Sequence, residues 1–408
     1  MSSLSKLAKQ HIGQATCLQI VHPETSSCLK SLLADLVPVA LSNFKLFFPI
    51  LLVRIGMNLK CICDKKIIYD ILKHYLNLVI SGFVLGFGSI TFGCILWKCF
   101  GPRNFLTSIF LPCVMISSIY VNLAPEYVLN LASISAFEMV IEILTLMKCD
   151  PITKLIIQSK FLQTLLFMAC SCYIIKNVLK HKVNMYWFIK PASGLQKEAL
   201  NEISFEQKEI CHRNLCSHNG SCKTYFFDGL KFYGIAGLCL DIVKEIGSSN
   251  KVKGLPLHLI KKFKTFDFQT TKFLLFYVGI FRFINCWLNN FHGIENLHRN
   301  TTIAAFLSGI SYTFFPKFLP LSYGMACCVR IAWTHYKKKS TKSRFQTYIK
   351  GINWNKLTVA LAIPLAIHLY MYEQKIVGSI GTKFISHTTN QRSLRVRENI
   401  KRYLSQFQ

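Results

Sequence analysis

Acidic residues are scarce in this chain. Asp and Glu number 19 among 408 residues, and only 16% of residues carry a charge. Soluble domains usually carry about a quarter, so a large soluble helical protein, the rival reading, lacks the acidic surface it would need. Familiar catalytic signatures are also missing. No glycine-rich phosphate loop GxxxxGK(S/T) and no GxSxG nucleophile elbow occurs. No CxxC pair occurs either, which removes the commonest zinc and thiol–disulfide pattern. The first 20 residues hold no long apolar run, so no secretory signal is expected there. The end, Ser405-Gln406-Phe407-Gln408, matches neither a peroxisomal address nor a lipidation box. These gaps argue against an enzyme, and no catalytic residue is assigned.

What the chain has is apolar length. Hydrophobic residues make up 51%, with 32 Phe. Apolar stretches close to the length that crosses a bilayer recur from end to end. The first half carries them at about residues 32–55, 75–97, 105–121, 127–147 and 155–179. The second half carries them at about 225–246, 271–288, 303–315, 321–333 and 357–372. The fold expected is all-α, a polytopic membrane helical bundle. It is built from two tandem repeats of about five apolar segments, each with a broken central hairpin. Pro38, Lys45 and Pro49 predict that the first segment is broken or lies in the interface.

The net charge is +29. Nucleic-acid binding is the obvious competing explanation, but Lys and Arg flank nearly every apolar segment instead of gathering in one domain. That spread suits snorkelling side chains and anionic lipid headgroups. The bilayer and anionic lipids are the expected partners, with no nucleic acid. The 17 Cys are scattered. Those inside apolar segments, including Cys94, Cys113, Cys170, Cys286, Cys327 and Cys328, read as reduced small hydrophobes facing lipid or core. Reduced thiols favour a membrane facing the cytosol over secretion.

Domain boundaries follow the charge pattern. Residues 1–30 form a Cys/His-containing head, 31–180 a first membrane repeat, and 181–222 a polar linker with a second Cys/His patch. Residues 223–374 form a second repeat, and 375–408 a basic, solvated or membrane-surface tail. The halves align locally: Phe110-Leu111 matches Phe306-Leu307, and Tyr127 matches Tyr323. Such duplication suits a transporter or channel with a site between repeats, the alternative function, or a purely structural duplicate.

Candidate sites are few. Ala305 and Gly309 lie four apart, and Tyr323 opens the facing arm; small residues at that spacing let membrane helices approach closely. Glu138 and Glu142 share one helical face and should turn away from lipid. Arg330 and Arg282 are their possible partners. Cys17, His22 and Cys28 in the head, and Cys211, His212, Cys216, His218 and Cys222 in the linker, offer enough nitrogen and sulfur for zinc. The reading adopted is inert or palmitoylated cysteines, with no metal and no cofactor; zinc is the alternative. Asn300-Thr301-Thr302 is a glycosylation sequon abutting an apolar run, and His368 reads as a packed residue.

Several of these marks together resemble the transmembrane protein 135 family. Cys17, His22-Pro23 and Cys28 resemble its N-terminal Cys- and His-Pro-containing head. Cys211-His212, Cys216 and Cys222 resemble its second Cys-rich patch. Ile303 to Ser311 is similar to its Gly-containing core helix, with Ala305 in place of a glycine. Tyr127 to Ala132 and Tyr323 to Ala326 resemble the helices after each hairpin. The family pattern has an acid seven positions after each tyrosine, where this chain has Ile134 and Arg330, so it looks like a divergent member. The resemblance implies a membrane protein of peroxisomes and mitochondria. Its implied roles are in fission–fusion balance and in lipid or cholesterol homeostasis, with organelle-division proteins or self-association as partners. It carries no enzymatic activity across.

Overall fold

The computed structural model describes residues 3–57, 64–100, 105–147, 151–181, 187–189, 216, 218, 221–248, 268–292, 296–315, 318–338, 347, 351–373 and 376–407. Among them the chain is 89% helical, with no strand. In chain order the α-helices are α1 (Ser3–His11), α2 (Cys17–Ile20), α3 (Cys28–Met57), α4 (Lys65–Phe100), α5 (Phe105–Leu123), α6 (Glu126–Met147), α7 (Pro151–Gln158) and α8 (Lys160–His181). They continue as α9 (Cys222–Ser248), α10 (Gln269–His292), α11 (Leu297–Ser308), α12 (Leu319–Lys338), α13 (Trp354–Tyr372), α14 (Ser379–Thr388) and α15 (Arg392–Ser405).

Five of these, α3, α4, α6, α8 and α10, are long and apolar enough to cross a membrane. Their outer faces stay apolar. Leu33, Val37, Leu41 and Phe48 on α3 are exposed, as are Phe276, Phe283 and Trp287 on α10. Only 17% of the α3 span is buried by the rest of the protein. Apolar surface on that scale needs hydrocarbon around it. The protein is therefore an all-α membrane bundle. The first segment is not broken: α3 runs unbroken through Pro38 and Pro49. Each proline removes one backbone bond, a loss that membrane helices accommodate.

The described residues divide into two compact units, and neither is a contiguous half. Unit 1 takes residues within 1–55, 60–154 and 337–408; unit 2 takes those within 56–59 and 155–336. In unit 1, α4 packs on α5, and α5 and α6 both pack on α13. In unit 2, α9 packs on α10, α10 on α11, and α11 on α8. Boundaries at 180 and 223 therefore do not describe the packing. The helix that ends the second set of segments completes unit 1, and α8, which ends the first set, completes unit 2.

The expected solvated tail is packed. Asn390 and Gln391 turn the chain with φ of 48° and 60°, and α15 then buries Val396, Ile400 and Leu404 at four-residue spacing. These join Ala8, Ile12 and Ile20 of the head in one cluster with Tyr370 of α13. Buried Arg392 pairs with Asp35 on α3, and its Nη2 donates to Ser31 Oγ at 2.6 Å. An apolar face and a neutralised arginine hold the tail down, although its composition is basic.

Candidate functional site

Unit 1 holds a partly open cavity of about 290 Å³ among α3, α4, α5, α6, α13 and α14. Phe47, Leu78, Tyr120, Val128 and Ile363 give it apolar walls. Glu138 and Glu142, one turn apart on α6, bring two carboxyl groups to the lining. Glu138 is buried and Glu142 half-buried. The Glu142 carboxyl lies against Gly378, the residue that caps the N-terminus of α14; a Cβ there would collide with it. A helix N-terminus carries a partial positive charge that favours a carboxylate.

Glycines bring the walls together. A Cβ at Gly82 would overlap Asn43 and Phe47 of α3, and one at Gly86 would overlap the Thr388 carbonyl. Asn43 Nδ2 donates to that same carbonyl at 3.0 Å, and Ser42 Oγ to the His387 carbonyl at 2.6 Å. The last carbonyls of α14 thus find partners on α3. Tyr127 stacks on His74 with ring centroids 4.8 Å apart and accepts a hydrogen bond from Asn77.

In unit 2 the small residues seat α11 against α8. Gly309 begins a stretch of 3-10 helix that reaches Phe314, so the first hairpin arm changes geometry before the expected break. A Cβ on Gly309 would stand 2.6 Å from Met168 Cα. Ser171 of α8 donates to the Ala305 carbonyl at 2.7 Å. Tyr277 donates in turn to Ser171 Oγ at 2.5 Å and accepts from Trp187 Nε1 at 2.8 Å. Tyr323 stacks on Trp187, 6.1 Å between centroids and 5° between planes. Sequence reasoning passed over Trp187, which sits in the stretch read as linker.

Arg282 and Arg330, the expected partners of the two glutamates, belong to unit 2. Arg282 lies over the Tyr225 ring, 4.0 Å from its centroid, and its guanidinium donates to the Tyr225 carbonyl. Arg330 is half-buried on α12. Asn300 of the sequon is buried and donates to Asn289 Oδ1 at 3.0 Å, which closes it to glycosylation in the folded chain. His368 packs edge-on against Phe110 and Tyr372.

Among the described residues, two clusters bring Cys and His side chains together. In unit 1, Cys17, His22 and Cys28 meet Cys94 of α4; in unit 2, Cys216, His218 and Cys222 meet Cys286 of α10. Within each set all four ligand atoms lie within 4.8 Å of one another. Cys94 and Cys286 are free and buried, as expected of core-facing cysteines, and each also stands beside a Cys/His patch. Part of the signal was present in the sequence: Cys17, His22 and Cys28, and likewise Cys216, His218 and Cys222, follow one another in a short stretch. Cys211 and His212 lie outside the described residues. The hydrogen bond to Cys94, and then burial, pushes the Cys17 thiol up. Burial, and then Cys222, pushes Cys216 up.

No protein-family model matches the chain, and no curated protein or solved structure is significantly similar to it.

Proposed function

We propose that this is a non-enzymatic, multi-pass organelle membrane protein of lipid homeostasis whose unit 1 holds a hydroxyl-bearing lipid of the sterol class. The unit 1 cavity carries the reading. Its walls are apolar, and its polar lining includes two carboxyl groups, which can hydrogen-bond a lipid hydroxyl. The whole cavity belongs to one unit, so binding needs no passage between halves. The resemblance to the transmembrane protein 135 family supports peroxisomal or mitochondrial membranes as the location, and a role in the balance of organelle division and fusion.

A tagged full-length chain, imaged against peroxisomal and mitochondrial markers in cells fed a photoreactive sterol, tests this. The expected result is organelle localisation with crosslinked peptides from α4, α6 or α13. Residence in the plasma membrane, or crosslinks confined to outward helix faces, overturns it.

A further inference from the structure

We propose that the protein carries two structural zinc ions, one in each unit. Cys17, His22, Cys28 and Cys94 hold the first; Cys216, His218, Cys222 and Cys286 hold the second. This assignment does not rest on the lipid reading.

The geometry comes first. In unit 1 the Cys17 sulfur stands 3.3 Å from His22 Nε2 and 3.4 Å from the Cys94 sulfur, and His22 Nε2 stands 3.1 Å from the Cys28 sulfur. In unit 2 the Cys216 and Cys222 sulfurs are 3.4 Å apart, and His218 Nε2 is 3.3 Å from the Cys286 sulfur. Zinc–sulfur bonds of about 2.3 Å at tetrahedral angles put neighbouring ligand atoms about 3.8 Å apart. Both clusters are near that size. All eight cysteine and histidine ligands are buried or partly buried. Three sulfurs and an imidazole converging on one point exceed what a disulfide requires.

The second argument is the support around His22. Its Nδ1 faces the Thr25 carbonyl at 3.2 Å. Donation there fixes the proton on Nδ1 and leaves the Nε2 lone pair aimed at the three sulfurs, the arrangement in which histidine ligates metal.

Recurrence is the third argument. Both sets run Cys, His, Cys, Cys along the chain. In both, the third ligand is the first residue of a long helix: Cys28 opens α3 and Cys222 opens α9. The fourth lies near the C-terminal end of the next long helix. A chance meeting of thiols would not repeat this order and placement in both units.

Three thiolates and one imidazole are a closed tetrahedral set that suits zinc, with no position left for water or substrate. Binding releases the three thiol protons to solvent, and nothing is oxidised or reduced. Each ion would clamp the segment before a long helix to the far end of the next one.

The test is metal analysis of the full-length chain purified in detergent without chelator. The expected content is two zinc per chain, one in Cys94→Ser, one in Cys286→Ser and none in the double variant. Cys239→Ser, outside both clusters, keeps two. If a variant fails to fold, cobalt exchanged into the wild-type chain supplies a separate readout. Two tetrahedral cobalt–thiolate sites per chain are expected. Wild-type protein without zinc, two zinc in either single variant, octahedral cobalt, or a Cys17–Cys94 or Cys216–Cys222 disulfide in a non-reducing peptide map overturns the proposal. One zinc in the wild type overturns the pairing.

Discussion

Arg392 at the start of the last helix pairs with Asp35 on the first long helix, with the arginine only 3% exposed and the aspartate 16%. Residues near opposite ends of the sequence thus neutralise each other inside unit 1. Removing one partner leaves a buried charge without its counter-ion, at a cost of about 3 kcal/mol. Asp35→Asn should therefore lower the melting temperature and open 376–407 to protease, while Arg395→Gln, on an exposed side chain, should do neither. Equal protection of the tail in wild type and Asp35→Asn would remove the pair from the account.

Two glycines of α4 separate close approach from helix propensity. Gly86 has the Thr388 carbonyl where a Cβ would go, while Gly93 has nothing within 4 Å. Gly86→Ala forces α4 away from the end of α14 and should destabilise by about 1–3 kcal/mol. Gly93→Ala should be neutral or stabilise by up to about 1 kcal/mol, through helix propensity and a less flexible unfolded chain. Thermal unfolding of both variants checks the contrast.

A pH dependence follows from His387 on α14. Burial, and then Lys383, holds its pKa below the usual histidine value. The folded state thus prefers the neutral ring, and its contribution to stability is present above about pH 6.5 and lost as pH falls through that reference value toward the lowered one. His387→Asn should flatten that part of the curve of melting temperature against pH. An unchanged slope would show that the ring does not titrate against folding.

The sequence displayed the helices well and their assembly poorly. Apolar runs marked α3 to α6, α8 and α10 because lipid-facing helices must be apolar over their whole length. The charge flanks of 375–408 concealed its packing, since a four-residue apolar spacing in α15 is faint among so many Lys and Arg. Pro38 and Pro49 suggested a break that a membrane helix does not need. The exchange of α8 and α13 between units was not legible, because pattern shows which face of a helix is sticky, not which helix will meet it. Ala305 and Gly309 announced a close contact but not Met168 and Ser171 as its other side. The clusters were half visible: Cys17, His22 and Cys28 share a polar stretch, whereas Cys94 hides inside an apolar helix, where a cysteine passes for a small hydrophobe.

The most direct measurement of the lipid reading is native mass spectrometry of the detergent-purified chain. Wild-type protein loaded with sterol should keep one sterol bound as detergent is stripped. Ala132→Phe, which puts a ring on the cavity lining, should lose it while melting normally. Equal retention by both chains, or no retention by wild type, would contradict the account.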